Sequence, residues 1–506
     1  MKLAFRVDAS RRIGTGHVVR CLNLARVLAG RGAEVTFICR AHEGHMGAAL
    51  EREGFRVRML GAPPRQPADT SEDYAEWLGV PVRQDAEETV GALPGGTDWL
   101  VMDHYGLDET WQAAVRAAAR RIMAVEDLPG RRHACDLLLD QGALEPGQDG
   151  HAQRAPGAQL LLGPRYALLR GEYARQRASL PPRQARSGVF VFFGGTDPGN
   201  LTALALEALA SPEASHLPAT LVLGPNYPFG DSLRAAAAGR PGTTVLGPQP
   251  DLASLMARAA VAVGGGGVTT WERMCLGLPA VVVSLAENQR PSCEALARQG
   301  LIAYAGHFDE VTAASLASLL VRTAADGEMQ QGLATSGMHL VDGLGALRVA
   351  EALAPASTGE LVLRRARPAD AATYFGWVND PAVRASAFET AAVPWATHED
   401  WFARRLGDPG SMLFVMEARG LPVGQVRFQA GPGGALVDYS LDPLVRGRGW
   451  AGHLLEAGMT AAGGGPFRAE VKNGNRASLA VFRRLGFNEE EGEGGRRIFT
   501  RRGVVQ

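Results

Sequence analysis

Short apolar strands alternate with helical segments through the first 165 residues of this 506-residue chain. Alternation of this kind predicts a parallel sheet wrapped by helices, because parallel neighbours need a crossover that a helix supplies. A second alternating series begins near Ser187. Two series in tandem predict a ligand cleft at the carboxyl ends of their strands. The predicted strands are Leu3–Val7, Glu34–Ile38, Arg56–Leu60, Trp99–Met102, Ile122–Val125, Leu137–Leu139, Val189–Phe193, Thr220–Leu223, Thr244–Leu246, Val261–Val263 and Ala280–Ser284.

Composition excludes several kinds of partner. Lys and Arg together number 52 against 53 Asp and Glu, so the chain carries no field that attracts nucleic acid or an anionic membrane. No apolar run approaches membrane-spanning length, and the N-terminus enters a strand without a signal-peptide pattern. The five cysteines are scattered and lack C-x-x-C spacing, which is typical of free thiols in a reducing compartment. We therefore expect a cytoplasmic protein with neither a nucleic-acid nor a membrane partner.

The patterning changes at Leu353–Glu360, where small residues and Pro indicate a linker. Residues 361–506 then show a strand, helices, a strand run from Met412 to Phe428, a further strand at Leu436–Leu441 and a glycine loop. The expected domains are therefore 1–165, 166–355 and 361–506, the first two doubly wound and the third of a different α+β kind.

A glycine loop follows the first strand and leads into a helix. Gly14 and Gly16 allow close approach of the backbone to a ligand, and free N–H groups at a helix start favour an anion. His17 stands at the first helical turn, where the dipole favours the neutral imidazole that a general base needs. An isolated Gly-His more often caps or packs, but the flanking Asp8 and the two glycines favour function.

A second polar group follows the strand Trp99–Met102. Asp103 is a candidate to hold His17 or a sugar hydroxyl, and Tyr105 is a candidate to orient substrate or water. Ordinary turn chemistry explains the same residues equally well, since Asp and Gly are common in turns.

A longer glycine run, Gly264–Gly267, predicts a second anion site between a strand and a helix. Glu272 in the following helix offers a carboxylate to a ribose diol, although a capping role is the alternative. The chain contains no Asp-x-Asp pair of the kind that holds a metal on a diphosphate, so we predict no metal requirement. The candidate residues of this region are Gly265, Gly266, Gly267, Thr269, Glu272, Asn288 and Gln289.

Taken together, these motifs resemble the pseudaminic-acid pathway UDP-sugar hydrolases. The resemblance covers about two-thirds of the chain and implies two Rossmann-like domains in a GT-B arrangement. It also implies cleavage of UDP-2,4-diacetamido-2,4,6-trideoxy-β-L-altropyranose by water to UDP and free sugar. The matching segments are Asp8-Ala9-Ser10, Gly14-Thr15-Gly16-His17-Val18-Val19-Arg20-Cys21-Leu22, Asp103-His104-Tyr105-Gly106, Phe193-Gly194-Gly195-Thr196-Asp197-Pro198 and Ala286-Glu287-Asn288-Gln289.

Residue by residue, the resemblance makes His17 the general base and places Tyr105 and Asn288 near the reacting sugar. Glu272 and the glycines before it match the nucleotide site, which makes residues 166–355 the UDP-binding domain. The full set of expected substrate or UDP contacts is Asp8, Gly14, Gly16, Asp103, Gly265, Gly266, Gly267, Thr269, Glu272 and Gln289.

The third domain carries the loop motif Arg446-Gly447-Arg448-Gly449-Trp450-Ala451 and, before it, Trp377-Val378-Asn379-Asp380-Pro381-Ala382-Val383-Arg384 and Trp401-Phe402. With these motifs it resembles the GNAT acetyltransferases, in the branch that contains the pseudaminic-pathway N-acetyltransferase. The strand Leu436–Leu441 leads into a glycine loop and a helix, and this resemblance implies that the loop binds acetyl-CoA. Glu470 is a candidate base for the amine, with a structural ion pair as the alternative. Phe482 stands where many GNAT enzymes carry Tyr, so either another group, water or Tyr439, serves the leaving thiolate, or the thiolate leaves unprotonated. The expected acetyl-CoA contacts are Arg446, Gly447, Gly449, Ala451, Gly452, Asn475 and Ser478.

The simplest interpretation is a bifunctional enzyme that acetylates a UDP-amino-sugar with acetyl-CoA and then hydrolyses the product with water. The alternative is a GT-B glycosyltransferase with a UDP-sugar donor, whose GNAT domain is non-catalytic or has another specificity. A binding or regulatory protein with inactive sites is a third class.

Overall fold

The computed structural model describes residues 1–64, 74–128, 130–142 and 150–502. The chain divides into two compact units, Met1–Leu353 and Ala354–Gln506. The first unit contains two parallel sheets of seven and six strands, and the second contains a mixed sheet of seven strands. In the described residues, no helix combines the length and the apolar character that a membrane span requires.

The first sheet has the order β3-β2-β1-β4-β5-β6-β7, and each neighbouring pair is parallel. Its central strands are buried on both faces because helices cover both faces. The direction of winding reverses between β1 and β4, which places a crevice at their carboxyl ends. The elements are β1 (Lys2–Val7), α1 (Gly16–Gly30), β2 (Glu34–Arg40), α2 (Gly47–Arg52), β3 (Arg56–Leu60), α3 (Val82–Ala92), β4 (Thr97–Asp103), α4 (Glu109–Val115), β5 (Ala119–Val125), β6 (Leu137–Asp140), α5 (His151–Arg154), β7 (Gln159–Leu162) and α6 (Gly171–Arg177).

The second sheet has the order β10-β9-β8-β11-β12-β13 and reverses its winding between β8 and β11. One apolar cluster fills each of its faces, which is why alternate residues of one strand belong to different clusters. The elements are β8 (Val189–Phe192), α7 (Leu201–Ala210), β9 (Ala219–Val222), α8 (Gly230–Ala238), β10 (Thr243–Leu246), α9 (Ala253–Arg258), β11 (Val261–Gly265), α10 (Thr269–Cys275), β12 (Ala280–Ser284), α11 (Arg290–Arg298), β13 (Ala303–His307), α12 (Ala313–Ala325), α13 (Gly327–Leu340) and α14 (Gly345–Leu353).

The last helix of the first unit, α14, returns to the first sheet and packs on α1. Trp99 Nε1 donates a hydrogen bond of 3.1 Å to the carbonyl oxygen of Leu353, and Arg31 forms an ion pair of 3.6 Å with the buried Glu351. The sequence expectation assigned this helix to residues 166–355, whereas its contacts tie it to the first sheet.

The second unit is an α+β domain in which neighbouring strands are antiparallel except for β17 and β18. The run predicted from Met412 to Phe428 is two strands, because Arg419 and Gly420 form a two-residue hairpin turn inside it. The elements are β14 (Leu361–Arg365), α15 (Ala371–Val378), α16 (Pro381–Ser386), α17 (Trp395–Gly407), β15 (Ser411–Ala418), β16 (Leu421–Gln429), β17 (Ala435–Leu441), α18 (Trp450–Ala461), β18 (Phe467–Lys472), α19 (Arg476–Arg484), β19 (Asn488–Gly492) and β20 (Arg496–Arg501).

Two edge strands, β7 and β13, were absent from the predicted set. Gln159–Leu162 has only four residues, and Ala303–His307 is rich in small side chains, so neither shows a clear strand pattern. The predicted α/β class is nevertheless confirmed, with two parallel sheets followed by an α+β domain.

Candidate functional site

The reversal between β1 and β4 brings His17 and Asp103 together. His17 lies in the first turn of α1 and Asp103 ends β4, and the distance from His17 Nδ1 to Asp103 Oδ1 is 2.6 Å. Burial opposes ionisation of Asp103, but the charge of Arg20 and the hydrogen bonds from Arg20 and His17 outweigh it and hold the pKa of Asp103 below its usual range. The shared proton therefore lies on Nδ1, which leaves Nε2 as the basic nitrogen.

Arg20, one helical turn after His17, holds the same carboxylate. Its Nε and Nη2 donate to the two oxygens of Asp103 at 2.6 and 2.7 Å, and Nη1 donates to Asp127 at 2.7 Å. Sequence reasoning missed both Arg20 and Asp127. The i, i+3 spacing from His17 and a carboxylate just after β5 were the available signals.

Aromatic side chains form a wall beside the imidazole. The Tyr105 ring meets His17 edge to face, with ring centroids 4.7 Å apart, and Tyr74 and Trp77 pack on Tyr105. Arg12 lies 5.5 Å from the Trp77 ring centroid. Burial raises the pKa of Tyr105, so its hydroxyl remains a donor. The wall offers an apolar surface and one hydroxyl next to the base.

Asp8 is fully buried below this wall rather than open to a ligand. It accepts hydrogen bonds from Arg6 Nη1 at 2.6 Å and from the backbone N–H of Arg40 at 2.7 Å. Its Oδ2 atom lies 3.7 Å from Nε2 of both His42 and His104. The burial favours a structural role for Asp8 over the expected contact with substrate.

The glycines that follow β11 are packed tightly on the protein side. A β-carbon on Gly265 would lie 2.6 Å from Leu285 Cδ1, and one on Gly266 would clash with Cys293 Sγ. A larger residue at either position would therefore have to displace these neighbouring side chains. Gly267 is less confined, because a β-carbon on it would lie 4.0 Å from Gln289 Nε2. The expected contacts of these glycines with a nucleotide remain a prediction.

Glu272 lies in the first turn of α10, which begins at Thr269. Its Oε2 atom is buried and has no hydrogen-bond partner in the described residues. Burial raises the pKa of Glu272 to about 7, while the Tyr173 hydroxyl opposes that rise. A carboxylate oxygen without a partner next to a glycine loop is suited to accept a hydroxyl hydrogen bond from a ligand.

The loops that follow β1 and β8 meet in the cleft of the first unit. A β-carbon on Gly195 would lie 3.5 Å from Thr15 Oγ1. Asn288 and Gln289 lie in a short 3₁₀ turn after β12, and Gln289 Oε1 accepts a hydrogen bond of 3.0 Å from the Leu285 N–H. The structure thus groups Asp103, Tyr105 and His17 on one side, and the glycine run with Gln289 on the other.

In the second unit, the glycine loop joins β17 to α18. Gly447 and Gly449 have φ of 80° and 79°, a left-handed conformation that strains other residues. β17 pairs with β18 only at Ala435–Phe467 and Leu436–Arg468, so the rest of the two strands is unpaired along that edge. Ala451 and Gly452 lie in the first turn of α18. The opening exposes backbone groups beside the loop.

Two expected site residues of this unit are held by ion pairs. Arg446 Nη2 donates to Asp380 at 2.7 Å. Glu470 lies 2.8 Å from Arg468 Nη2 and 2.7 Å from Arg496 Nη1. These contacts favour the structural alternative for Glu470 over its role as a base.

Phe482 is buried, with its ring stacked 5.3 Å from Phe499. Beside it, the Tyr439 hydroxyl and Ser478 Oγ are 3.1 Å apart, and Asn475 Oδ1 caps α19 by accepting from the Ser478 N–H at 3.1 Å. Burial raises the pKa of Tyr439, so its hydroxyl keeps its proton.

Across the described part of the chain, no three His, Cys, Asp or Glu side chains form a cluster that could hold a metal ion. The expectation of metal-independent chemistry stays a prediction.

The fold and sites define a class: a GT-B-like α/β unit with a cleft between two parallel sheets, joined to a GNAT domain. Residues 360–488 match the family model of the acetyltransferase (GNAT) domain. The first unit shares its fold with the crystal structure of LpCGTa in complex with UDP. That comparison has a TM-score of 0.50 and 15% identity, and covers 70% of this chain and 99% of that one.

Two curated relatives whose names refer to sugars match parts of the chain. The chain is 27% identical over 188 residues to the spore coat polysaccharide biosynthesis protein SpsG of Bacillus subtilis (strain 168), covering 37% of this chain and 56% of that protein. It is also 27% identical over 203 residues to the UDP-2,4-diacetamido-2,4,6-trideoxy-beta-L-altropyranose hydrolase of Campylobacter jejuni subsp. jejuni serotype O:2, covering 40% and 63%. The chain thus spans less than two-thirds of the length of these relatives. It is a homologue of these proteins fused to a GNAT domain.

Proposed function

We propose that this chain is a bifunctional cytoplasmic enzyme of nonulosonic (pseudaminic) acid biosynthesis. Its first unit hydrolyses UDP-2,4-diacetamido-2,4,6-trideoxy-β-L-altropyranose to UDP and free sugar, and its second acetylates the UDP-4-amino-sugar precursor with acetyl-CoA. The observation that carries the hydrolase proposal is the His17–Asp103 pair of 2.6 Å at a strand-end crevice. The similarity to the Campylobacter hydrolase supports the choice of sugar.

The first reaction is attack of water on the anomeric carbon. His17 Nε2 takes the proton of the attacking water, Asp103 stabilises the imidazolium that forms, and Arg20 keeps Asp103 ionised and fixed. The anomeric C–O bond breaks, UDP leaves with the bonding electrons, and the configuration inverts. Tyr105 and Asn288 are proposed to orient the sugar, and Glu272 to bind the ribose hydroxyls.

The second reaction is attack of the 4-amino group on the acetyl-CoA thioester. The amides of the loop at Gly447 and Gly449 are proposed to bind the pyrophosphate, as in other GNAT domains. The C–N bond forms, the C–S bond breaks, and water takes the proton that the amine loses. Phe482 has no proton to give, so the hydroxyl pair of Tyr439 and Ser478 is the proposed proton source for the thiolate.

The hydrolase proposal is tested with the diacetamido UDP-sugar in H₂¹⁸O and without any acceptor. We expect UDP release with the label in the free sugar. The His17→Ala variant should lose turnover and keep UDP binding, whereas the exposed His216→Ala variant should behave like the wild type. Turnover that requires an acceptor would establish the glycosyltransferase alternative, and an active His17→Ala variant would remove the assigned base.

The acetyltransferase proposal is tested with the UDP-4-amino-sugar and acetyl-CoA, followed by mass analysis of the products. We expect N-acetylation first and release of the acetylated sugar second. A matched pair of variants separates loop function from backbone strain: Gly449→Ala in the loop and Gly463→Ala beyond α18, both at left-handed glycines. Acetylation should fall in Gly449→Ala alone. Equal activities in the two variants would contradict the loop assignment.

A further inference from the structure

Arg273 is a buried cation beneath the second glycine run. Its side chain is 1% exposed, and Nη2 donates to the Gly265 carbonyl oxygen at 2.7 Å and to Thr270 Oγ1 at 3.0 Å. Nε is buried without a hydrogen-bond partner. Among the described residues, no carboxylate oxygen lies within 4 Å of the guanidinium, and Nη1 makes no hydrogen bond. An unpaired buried charge is unfavourable, so the protein tolerates it only for a reason.

Other buried arginines of the same unit are compensated. Arg6 pairs with Asp8 and Asp85, and Arg20 pairs with Asp103. Arg240 has no carboxylate, but its Nε, Nη1 and Nη2 all donate, chiefly to backbone carbonyl oxygens. Among the described residues, Arg273 thus differs from Arg6 and Arg20 in having no carboxylate, and from Arg240 in donating only two hydrogen bonds, both through Nη2.

The position of Arg273 points to a ligand. A β-carbon on Gly264 would clash with both Arg273 Nη1 and the Phe192 carbonyl oxygen, so the guanidinium lies where β8 and β11 end side by side. That pair of strands is where the winding of the second sheet reverses, and ligands of doubly wound sheets bind at this place. The loop after β8 also carries Gly195, which meets Thr15 beside the catalytic histidine.

The adjacent Glu272 does not neutralise the arginine. Its Oε2 atom has no partner, and burial raises the pKa of Glu272 to about 7. Burial also lowers the pKa of Arg273 to about 10, despite the attraction of Glu272. Both directions are those that burial produces where the described residues supply no stable counter-ion, and an anionic ligand would provide the missing negative charge.

We propose that Arg273 binds the diphosphate of the nucleotide substrate and that this anion completes its charge pairing. The inference rests on the proposed function, because it takes a UDP-sugar as the ligand of this cleft. A guanidinium at this place would fix the position of the substrate diphosphate. It would also stabilise the negative charge that grows on the β-phosphate as the anomeric C–O bond breaks.

The test compares ligands that differ only in phosphate charge. UDP and uridine affinities are measured by calorimetry for the wild type, for the neutral variants Arg273→Gln and Arg273→Met, and for Arg258→Gln. Arg258 is an exposed arginine at the end of α9, so Arg258→Gln removes one positive charge from the protein surface. We expect UDP affinity to fall about tenfold or more in both neutral variants, with uridine affinity within about twofold and Arg258→Gln unchanged.

Thermal unfolding without ligand separates binding from structure. Because Arg273 is uncompensated when the site is empty, the neutral variants should be at least as stable as the wild type. Loss of stability or folding in both, or equal losses of UDP and uridine affinity, would overturn the inference. If the ratio of UDP affinity to uridine affinity in the neutral variants equals that of the wild type, the role of Arg273 is also overturned. The proposed function would stand in that case. A wild type that binds no UDP would instead overturn the proposed function.

Discussion

At the scale of single residues, the site depends on one carboxylate that binds both His17 and Arg20. Asp103 accepts from His17 on one oxygen and from Arg20 on both, so its position and its charge are fixed together. A carboxylate of this kind selects the Nδ1–H tautomer and leaves Nε2 to act on water. His17 alone, on a flexible surface, would sample both tautomers.

We therefore expect Asp103→Asn to lower kcat for UDP-sugar hydrolysis about 10²- to 10⁴-fold, with little change in KM. The amide keeps the shape of the carboxylate, but its NH₂ favours the wrong tautomer of His17. Steady-state kinetics across a pH series measures the effect. Asp127→Asn, which touches Arg20 alone, is the matched control and should cost far less. Equal losses in the two variants would contradict a special role for Asp103.

A second prediction at the residue scale concerns the pH dependence of folding stability. The pKa of Glu272 is raised to about 7 in the folded chain, above its ordinary value of 4.5. The folded state then binds more protons than the unfolded state between these values, so stability falls as pH rises from about 4.5 to about 7. In Glu272→Gln this component of the pH dependence should vanish, as followed by thermal unfolding between pH 5 and 8. An identical pH dependence in wild type and variant would refute the assignment.

At the scale of elements, buried ion pairs join α3 to the first sheet. Asp85 on α3 accepts from Arg6 of β1 at 3.1 and 2.6 Å, from Arg40 of β2 at 2.6 Å and from Trp111 Nε1 of α4 at 3.0 Å. One carboxylate thus connects four elements. These contacts hold the platform beneath β1, from whose carboxyl end the His17 loop starts.

We expect Asp85→Ala to destabilise the first unit by about 3–5 kcal/mol, because two buried guanidinium groups lose the carboxylate they share and keep only Asp8 and Glu88 as counter-ions. Glu87 on the same helix forms an exposed pair with Arg83, and Glu87→Ala should cost at most about 1 kcal/mol. Denaturant unfolding of both variants gives the two values. Similar small losses would show that the network contributes little to stability.

At the scale of the whole molecule, the chain consists of two compact units with separate cores and separate proposed ligands. Each ligand stabilises only the unit that binds it, by an amount that grows with its concentration over Kd. Because the two units bind different ligands, the response of each unit can be measured separately in the full chain.

Calorimetry of the full chain should therefore show two transitions. A saturating concentration of UDP should raise the midpoint of one by roughly 5 °C, and CoA should raise the other by a similar amount. His17→Ala should leave the response to UDP intact, since it removes a base and not the nucleotide site. A single transition that responds equally to both ligands would contradict independent units.

The amino-acid sequence determined the α/β class, most strands of both parallel sheets and the positions of the principal motifs. These features are local: strand and helix periodicity, glycine loops and residues at strand ends are visible along the chain. His17 with Gly14 and Gly16, and Glu272 beside its glycine run, were found in this way. The hairpin at Arg419 and Gly420 was missed because two apolar strands joined by two residues look like one run.

Only the tertiary structure decided which side chains share a charge. Asp103 holds His17 across 86 positions of sequence, and Arg20 reaches Asp127 across 107. Asp8 and Glu470 carried the right chemistry for a site, yet folding gave each of them a cationic partner. Arg273, in contrast, has no carboxylate partner among the described residues. Burial and ion pairing depend on distances between elements that are remote along the chain, so local pattern does not determine them.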